Sequence, residues 1–246
     1  MESTTGRVAP RSLPRRVERE WLDDLPVRDP RAVRARRDLE RVNGWMGQAR
    51  VMRKLLLHHW TGAPPRSMLD LGGGDGTFLL RLARSVVDHW PELQVTLVDT
   101  RHVVTDCTHH SLAALGWRLE VVEANVFDVL ARNELEPTDV TIANLFLHHL
   151  DDRALARLLR QVSTRTTVFA ASEPRRSTVG LIGSRMLGVI GCNDVTRHDA
   201  RVSVRSGFLG RELSDLWPHG SRWGTEERSA GLFSHAFAAW SRRHTR

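Results

Sequence analysis

The stretch Met68-Leu69-Asp70-Leu71-Gly72-Gly73-Gly74-Asp75-Gly76 constrains this chain more than any other part of it. Apolar residues around a single acid, running into a cluster of glycines, predict a buried strand that ends in a turn few other residues can make. One strand-helix unit later, Val95-Thr96-Leu97-Val98-Asp99 predicts a second strand ending in a carboxylate. This succession cradles a nucleoside. Glycine at 72, 74 and 76 permits positive φ and close backbone approach to a ligand, while Asp99 would accept both hydroxyls of a ribose beyond the carboxyl end of its strand.

The details around the glycines discriminate between nucleoside ligands. A dinucleotide fingerprint places its third glycine three residues after the second, and here Thr77 holds that position. A pyrophosphate is therefore disfavoured. Asp70, inside the strand, suits a cationic ligand without phosphate, such as the amino-acid end of S-adenosylmethionine.

At 246 residues and 41% hydrophobic content the chain can bury one large α/β core. No apolar run approaches the ~20 residues of a membrane span, and the N-terminus, with Glu2, Arg7, Arg11, Arg15 and Arg16, lacks a secretory pattern, so a cytoplasmic location is expected. Cys107 and Cys192 fit no metal or redox spacing and are read as reduced thiols. The net charge of +7 rests on arginine, Lys54 being the single lysine. Acids at Glu18, Glu20, Asp23 and Asp24 interrupt the arginines of the first forty residues, and Arg242, Arg243 and Arg246 end the chain. This is a solvated surface rather than a nucleic-acid stripe.

Residues 1–28 combine Ser, Thr, Pro and Arg with little apolar periodicity and are read as a flexible N-terminal arm. Residues 29–64 carry apolar residues at helical spacing, start at Asp29-Pro30 and form a helical cap, with Asn43-Gly44 as its expected break. From 65 to 246 the chain alternates strands, near 66–71, 94–98, 118–122, 138–143 and 166–171, with helices near 76–89, 101–115 and 152–162, the last capped by Asp151 or Asp152. Arg211–Trp217 reads as helical, and 222–227 with 232–240 as a terminal hairpin. A substrate-side insertion spans 173–207, with an apolar helix over 179–192 and a polar cluster over 193–199.

With these motifs in order, the chain resembles the class I S-adenosylmethionine-dependent methyltransferases, whose first motif Leu69 to Gly76 fits throughout. The resemblance implies an α/β, Rossmann-like class I methyltransferase fold: a mostly parallel seven-stranded sheet, an antiparallel C-terminal hairpin and an N-terminal helical extension. It assigns S-adenosyl-L-methionine to Asp70, Gly72, Gly74, Gly76, Asp99, Asn125, Val126 and Asn144. Asn125 stands in Glu123-Ala124-Asn125-Val126-Phe127, where the family reads the adenine amine after its third strand. After the fourth strand, Asn144-Leu145-Phe146-Leu147-His148-His149-Leu150 places His148 where plant-type small-molecule O-methyltransferases carry a catalytic base in Leu-His-Asp-Trp, although His149 and Leu150 replace the last two residues. Packing beside the cofactor is the other role open to these histidines. An imidazole with pKa near 6.5 can take a phenol's proton.

The segments 38–45, 143–150, 193–199 and 203–208 are together similar to bacterial methyltransferases associated with type III polyketide synthases, which act on phenolic products and their quinones. In that resemblance Trp45 and Met46 close over the site as substrate contacts, with core packing as the competing role of each. His149 and Arg197 are further candidate substrate contacts, and His198, in the polar cluster of the insertion, is with Asp199 or Arg197 a second candidate base or hydroxyl-orienting group. Local hydrogen bonding in a helix and turn is the competing role for His198. The His58/His59 and His109/His110 pairs lack His-Glu-x-x-His spacing, and no metal is expected. Asn144-Leu145-Phe146 lacks the prolines of amine-methylating nucleic-acid enzymes, and no cysteine stands there for cytosine C5 chemistry. The expected reaction is methylation of a small aromatic or polyketide-derived hydroxyl in secondary metabolism. Carbon methylation of a quinone or aromatic ring, RNA methylation, a non-catalytic cofactor-binding role and nicotinamide oxidoreduction are the alternatives. The expected partners are a small-molecule substrate, no nucleic acid and no membrane, with a homodimer as the assembly considered.

Overall fold

A computed structural model describes residues 13–26, 28–101, 103–132 and 136–242. Residues 1–12 of the arm, and Arg243 and Arg246 of the basic C-terminus, lie outside the described residues. The order is α1 (Trp21–Asp24), α2 (Pro30–Met46), α3 (Gln48–His59), β1 (Ser67–Leu71), α4 (Thr77–Val86), β2 (Leu93–Asp99), α5 (Asp106–Ala113), β3 (Trp117–Glu123), α6 (Val126–Ala131) and β4 (Thr138–Asn144). A short 3-10 turn (Leu147–His149) follows, then α7 (Asp152–Ser163), β5 (Thr166–Pro174), α8 (Thr178–Met186), α9 (Asp194–Ser206), α10 (Glu212–Leu216), β6 (Trp223–Ala230) and β7 (Ser234–Ser241).

The seven strands run β3-β2-β1-β4-β5-β7-β6. Strands β1 to β5 pair in parallel, and β7 lies antiparallel between β5 and β6. Strand order reverses between β1 and β4, which opens a crevice at their carboxyl ends where such sheets bind ligands. The sequence reason is alternation. Met68, Val95, Leu97, Val140 and Ile142 bury one face against α3, α4 and α5, whereas Leu69, Leu71, Val98, Ala143 and Phe169 bury the other against α6, α7 and α10. No helix among the described residues is long and apolar enough to cross a membrane.

Several local expectations need correction. Asn43-Gly44 does not break α2, which runs through them to Met46, because the helix stops only where Gly47 takes φ 66°. The helix expected near 101–115 covers only Asp106–Ala113, starting where the Thr105 side chain accepts from the Thr108 amide. Asn125 opens an additional helix, its side chain accepting from the Phe127 amide at 2.9 Å. The polar cluster at 193–199 is the first half of α9, with Asn193 accepting from the Thr196 amide. Glu173, read as the start of the insertion, belongs to β5.

The segment read as a flexible arm is docked from Leu13 onward. Arg15 donates from Nε to the Ser206 carbonyl at 2.8 Å, from Nη2 to the Leu150 carbonyl at 2.8 Å and from Nη1 to Asp152 at 2.6 Å. The Trp21 and Leu22 amides donate to the Asp199 carboxylate at 2.8 and 3.0 Å. A chain with few apolar residues can still dock when its backbone groups find such partners.

Candidate active site

The glycine turn after β1 has the conformation its sequence demands. Gly72, Gly74 and Gly76 take φ of 69°, 57° and 74°. A Cβ on Gly73 would stand 2.4 Å from Leu97 Cγ, while one on Gly74 would point into open space. That space is a cavity of about 600 Å³ lined by Gly72, Gly74, Asp99, Asn144 and Phe146, with Gly44 and Gln48 of the helical extension opposite. Gly76 stands apart from that lining and caps α4 instead.

Asp99 closes β2 with its carboxylate at this turn, Oδ2 accepting from the Gly74 amide at 2.9 Å and Oδ1 from the Arg101 amide at 3.0 Å. A side cavity of about 120 Å³ continues past Gly72 and Asp99 to Asn125, Val126 and Phe127. Gly72, Gly74, Asp99, Asn125, Val126 and Asn144 therefore line one continuous surface, which Gly76 and Asp70 do not reach.

Asp70 lies beneath the turn, fully buried, with neither carboxylate oxygen hydrogen-bonded; the Asn144 Oδ1 is likewise buried and without a partner. Burial, with the neighbouring Asp99 charge, pushes the Asp70 carboxyl up to about 7. A native pKa above the unfolded value of about 3.9 means that the folded chain holds a proton the unfolded chain has lost, so stability falls as pH rises from about 4 to about 7. Asp70→Asn, which cannot ionise, is expected to match wild type near pH 4 and to exceed it at pH 8 by up to about 4 kcal/mol without ligand. Denaturant unfolding at the two pH values checks this. A pH-independent difference would contradict it.

A second cavity, of about 450 Å³, adjoins the first, and Leu39, Asn43, Leu145 and His149 line both. Its walls are apolar: Val42, Met46, Leu187, Ile190 and Phe233 among them, with Trp45 at the end of α2, 73% exposed. Leu145 takes φ 53°, an unusual conformation for a residue with a Cβ, where β4 turns between the two cavities.

His148, on the 3-10 turn, is buried and faces the second cavity. Its Nδ1 pairs with Glu173 Oε2 at 2.7 Å, and Glu173 also accepts from the Phe146 and Leu147 amides at 3.0 and 2.9 Å. On the other side Nε2 stands 3.6 Å from Glu20 Oε1. Burial alone would depress the imidazole, but the two carboxylates push it up to about 9. His149 is held below the ordinary histidine value by burial and by the adjacent His148 charge.

Two assignments from the sequence are not brought to the site. His198 lines none of these cavities: its Nδ1 lies 2.9 Å from Asp199 Oδ1 and its ring stacks on Trp21 at 3.9 Å, so it holds the N-terminal segment in place. Arg197 lines none either, and its Nε reaches the Asn193 carbonyl one helical turn back. His198 sits on the face of α9 away from the cavity, which Ala200, Ser203 and Val204 border, whereas Arg197 shares that stripe one turn earlier and lies beside Gly188. Glu20 and Glu173 were missed. A lone acid between Ser172 and Pro174, at the end of an apolar strand, is a signal that could have found Glu173; nothing local marks Glu20 among its charged neighbours.

A family model described as an O-methyltransferase domain matches residues 32–168. No curated protein matches the chain. Among solved structures, the plantazolicin methyltransferase BpumL in complex with SAH is similar, with a TM-score of 0.61 and 11% identity over 87% of this chain and 92% of that one. An O-methyltransferase family protein from Burkholderia thailandensis has a TM-score of 0.57 and 21% identity, covering 87% of this chain and 61% of its own. The mitomycin 7-O-methyltransferase MmcR has a TM-score of 0.54 and 19% identity, covering 89% and 60%. At such identities the likeness is one of fold.

Proposed function

The chain belongs to the O-methyltransferase domain family, and from that premise we propose that it methylates a hydroxyl of a small amphipathic aromatic acceptor, phenolic or polyketide-derived, with S-adenosylmethionine as donor. The observation that carries this reading is the pair of adjoining cavities. One is bounded by a glycine turn and a carboxylate, the other by apolar side chains and a buried histidine.

The residues present fit the donor. Asp99 would take the ribose hydroxyls, Asn125 and Val126 would border the base, and the unpartnered oxygens of Asp70 and Asn144 suit an ammonium group. Bound there, the donor supplies an electrophilic methyl on a sulfonium. The apolar wall formed by Val42, Met46 and Leu187 excludes water and holds a flat ring, so that its oxygen is presented toward the shared wall at Leu145 and His149.

His148 does the proton work in this reading. Glu173 fixes Nδ1 as a donor, which directs Nε2 toward the acceptor cavity, where its lone pair receives the hydroxyl proton. A panel of resorcinols, quinols and flavonoids offered with a labelled methyl donor tests the assignment. The expected product is a labelled aryl methyl ether, whereas label only on ring carbon would replace this reading with carbon methylation.

A further inference from the structure

We propose that Glu20 is a positioning residue for methyl transfer: it governs the charge state of His148 and holds the ring nitrogen that the acceptor hydroxyl must reach. This rests on the reading that His148 receives the acceptor's proton. The carboxylate is buried, lines the acceptor cavity together with His148, and stands 3.6 Å from Nε2, opposite the Glu173 contact at Nδ1. An imidazole with a carboxylate at each nitrogen keeps both protons, and a ring that keeps both protons takes no third.

The carboxylate is placed by anchors on α9 and along the N-terminal segment. Ser203 Oγ on α9 donates to Glu20 Oε1, the next two backbone amides are held by Asp199, and Trp21 stacks on His198. Further back, Arg176 Nε donates to the Leu13 carbonyl at 2.6 Å. Burial works to raise the Glu20 carboxyl, but its attraction to His148 and His149 keeps it below the ordinary value, so it stays ionised. An isolated surface pair would contribute little, whereas this one is buried on both sides.

The charged groups around His148 come from every neighbouring element. Glu173 stands on β5, His149 is the next residue on the 3-10 turn, and Asp23 on α1 lies 3.9 Å from His149 Nδ1. On α9, Asp199 and His198 face the N-terminal segment, and Arg15 with Asp152 closes the Leu150 side. Glu20 is the acid among them that both pairs with His148 and borders the acceptor cavity. The acceptor oxygen therefore competes with Glu20 for Nε2, and His148 must shed a proton before it can accept one.

The test is an NMR titration of histidine ring signals in the full chain, with the His148 signal identified by its loss in His148→Gln. Wild-type His148 is expected to titrate well above the ordinary value of about 6.5. In Glu20→Gln it is expected to titrate about one pH unit or more lower, with Glu20→Asp between the two. The acid limb of kcat/KM should move down by the same amount in Glu20→Gln. A wild-type His148 titrating near 6.5 would overturn the proposal whether or not any variant folds, as would an unmoved titration in a folded Glu20→Gln chain. A titration that moves as expected in a chain that methylates no acceptor would overturn the proposed reaction, and the positioning role with it, and leave only the control of the His148 charge by Glu20 standing.

Discussion

Asp99→Ala is expected to weaken S-adenosylmethionine binding by at least about 100-fold, since two hydrogen bonds from ribose to a charged acceptor contribute roughly 1.5–3 kcal/mol each. The same carboxylate braces the turn through the Gly74 and Arg101 amides. Its loss therefore also loosens the surface against which the adenosine would lie. Because Asp99 ends its strand and is only half-buried, the sheet beneath should persist. Calorimetry with S-adenosylhomocysteine, paired with a melting curve, separates the two effects. An affinity within a few-fold of wild type would contradict the ribose assignment.

The second large effect is expected at the base. His148→Gln preserves a polar group able to donate to Glu173 but cannot take a phenol's proton, so single-turnover methyl transfer should fall by about 10²- to 10⁴-fold. Donor affinity should change little, because His148 lines the acceptor cavity and not the one beside the glycine turn. Unaltered single-turnover transfer would remove His148 from the chemistry. A parallel loss of donor affinity would instead mark it as structural.

Much of the donor side of this site was legible because it is local. Gly72, Gly74 and Gly76 must adopt left-handed conformations for the turn to form, and Asp99 and Asn144 fall at strand ends, positions that alternation and length already fix. The acceptor side depends on contacts between segments distant in the chain. Glu20 reaches His148 across more than a hundred residues, and its own neighbourhood of Arg19 and Asp23 reads as solvated charge. His198 misled for the complementary reason. A His-Asp pair suggests a base, yet helical geometry turned this one toward Trp21 rather than the cavity. Helix α9 itself was obscured by its polar opening, Asn193-Asp194-Val195-Thr196, which is cap chemistry and resembles a loop.

The account depends on the crevice between β1 and β4 holding an adenosyl sulfonium. Titration of the purified chain with S-adenosylmethionine and with S-adenosylhomocysteine, followed by heat and by thermal shift, measures this directly. Saturable binding of both at one site, lost in Asp99→Ala, is the predicted result. A chain that gives no heat and no change in melting temperature with either compound would contradict it.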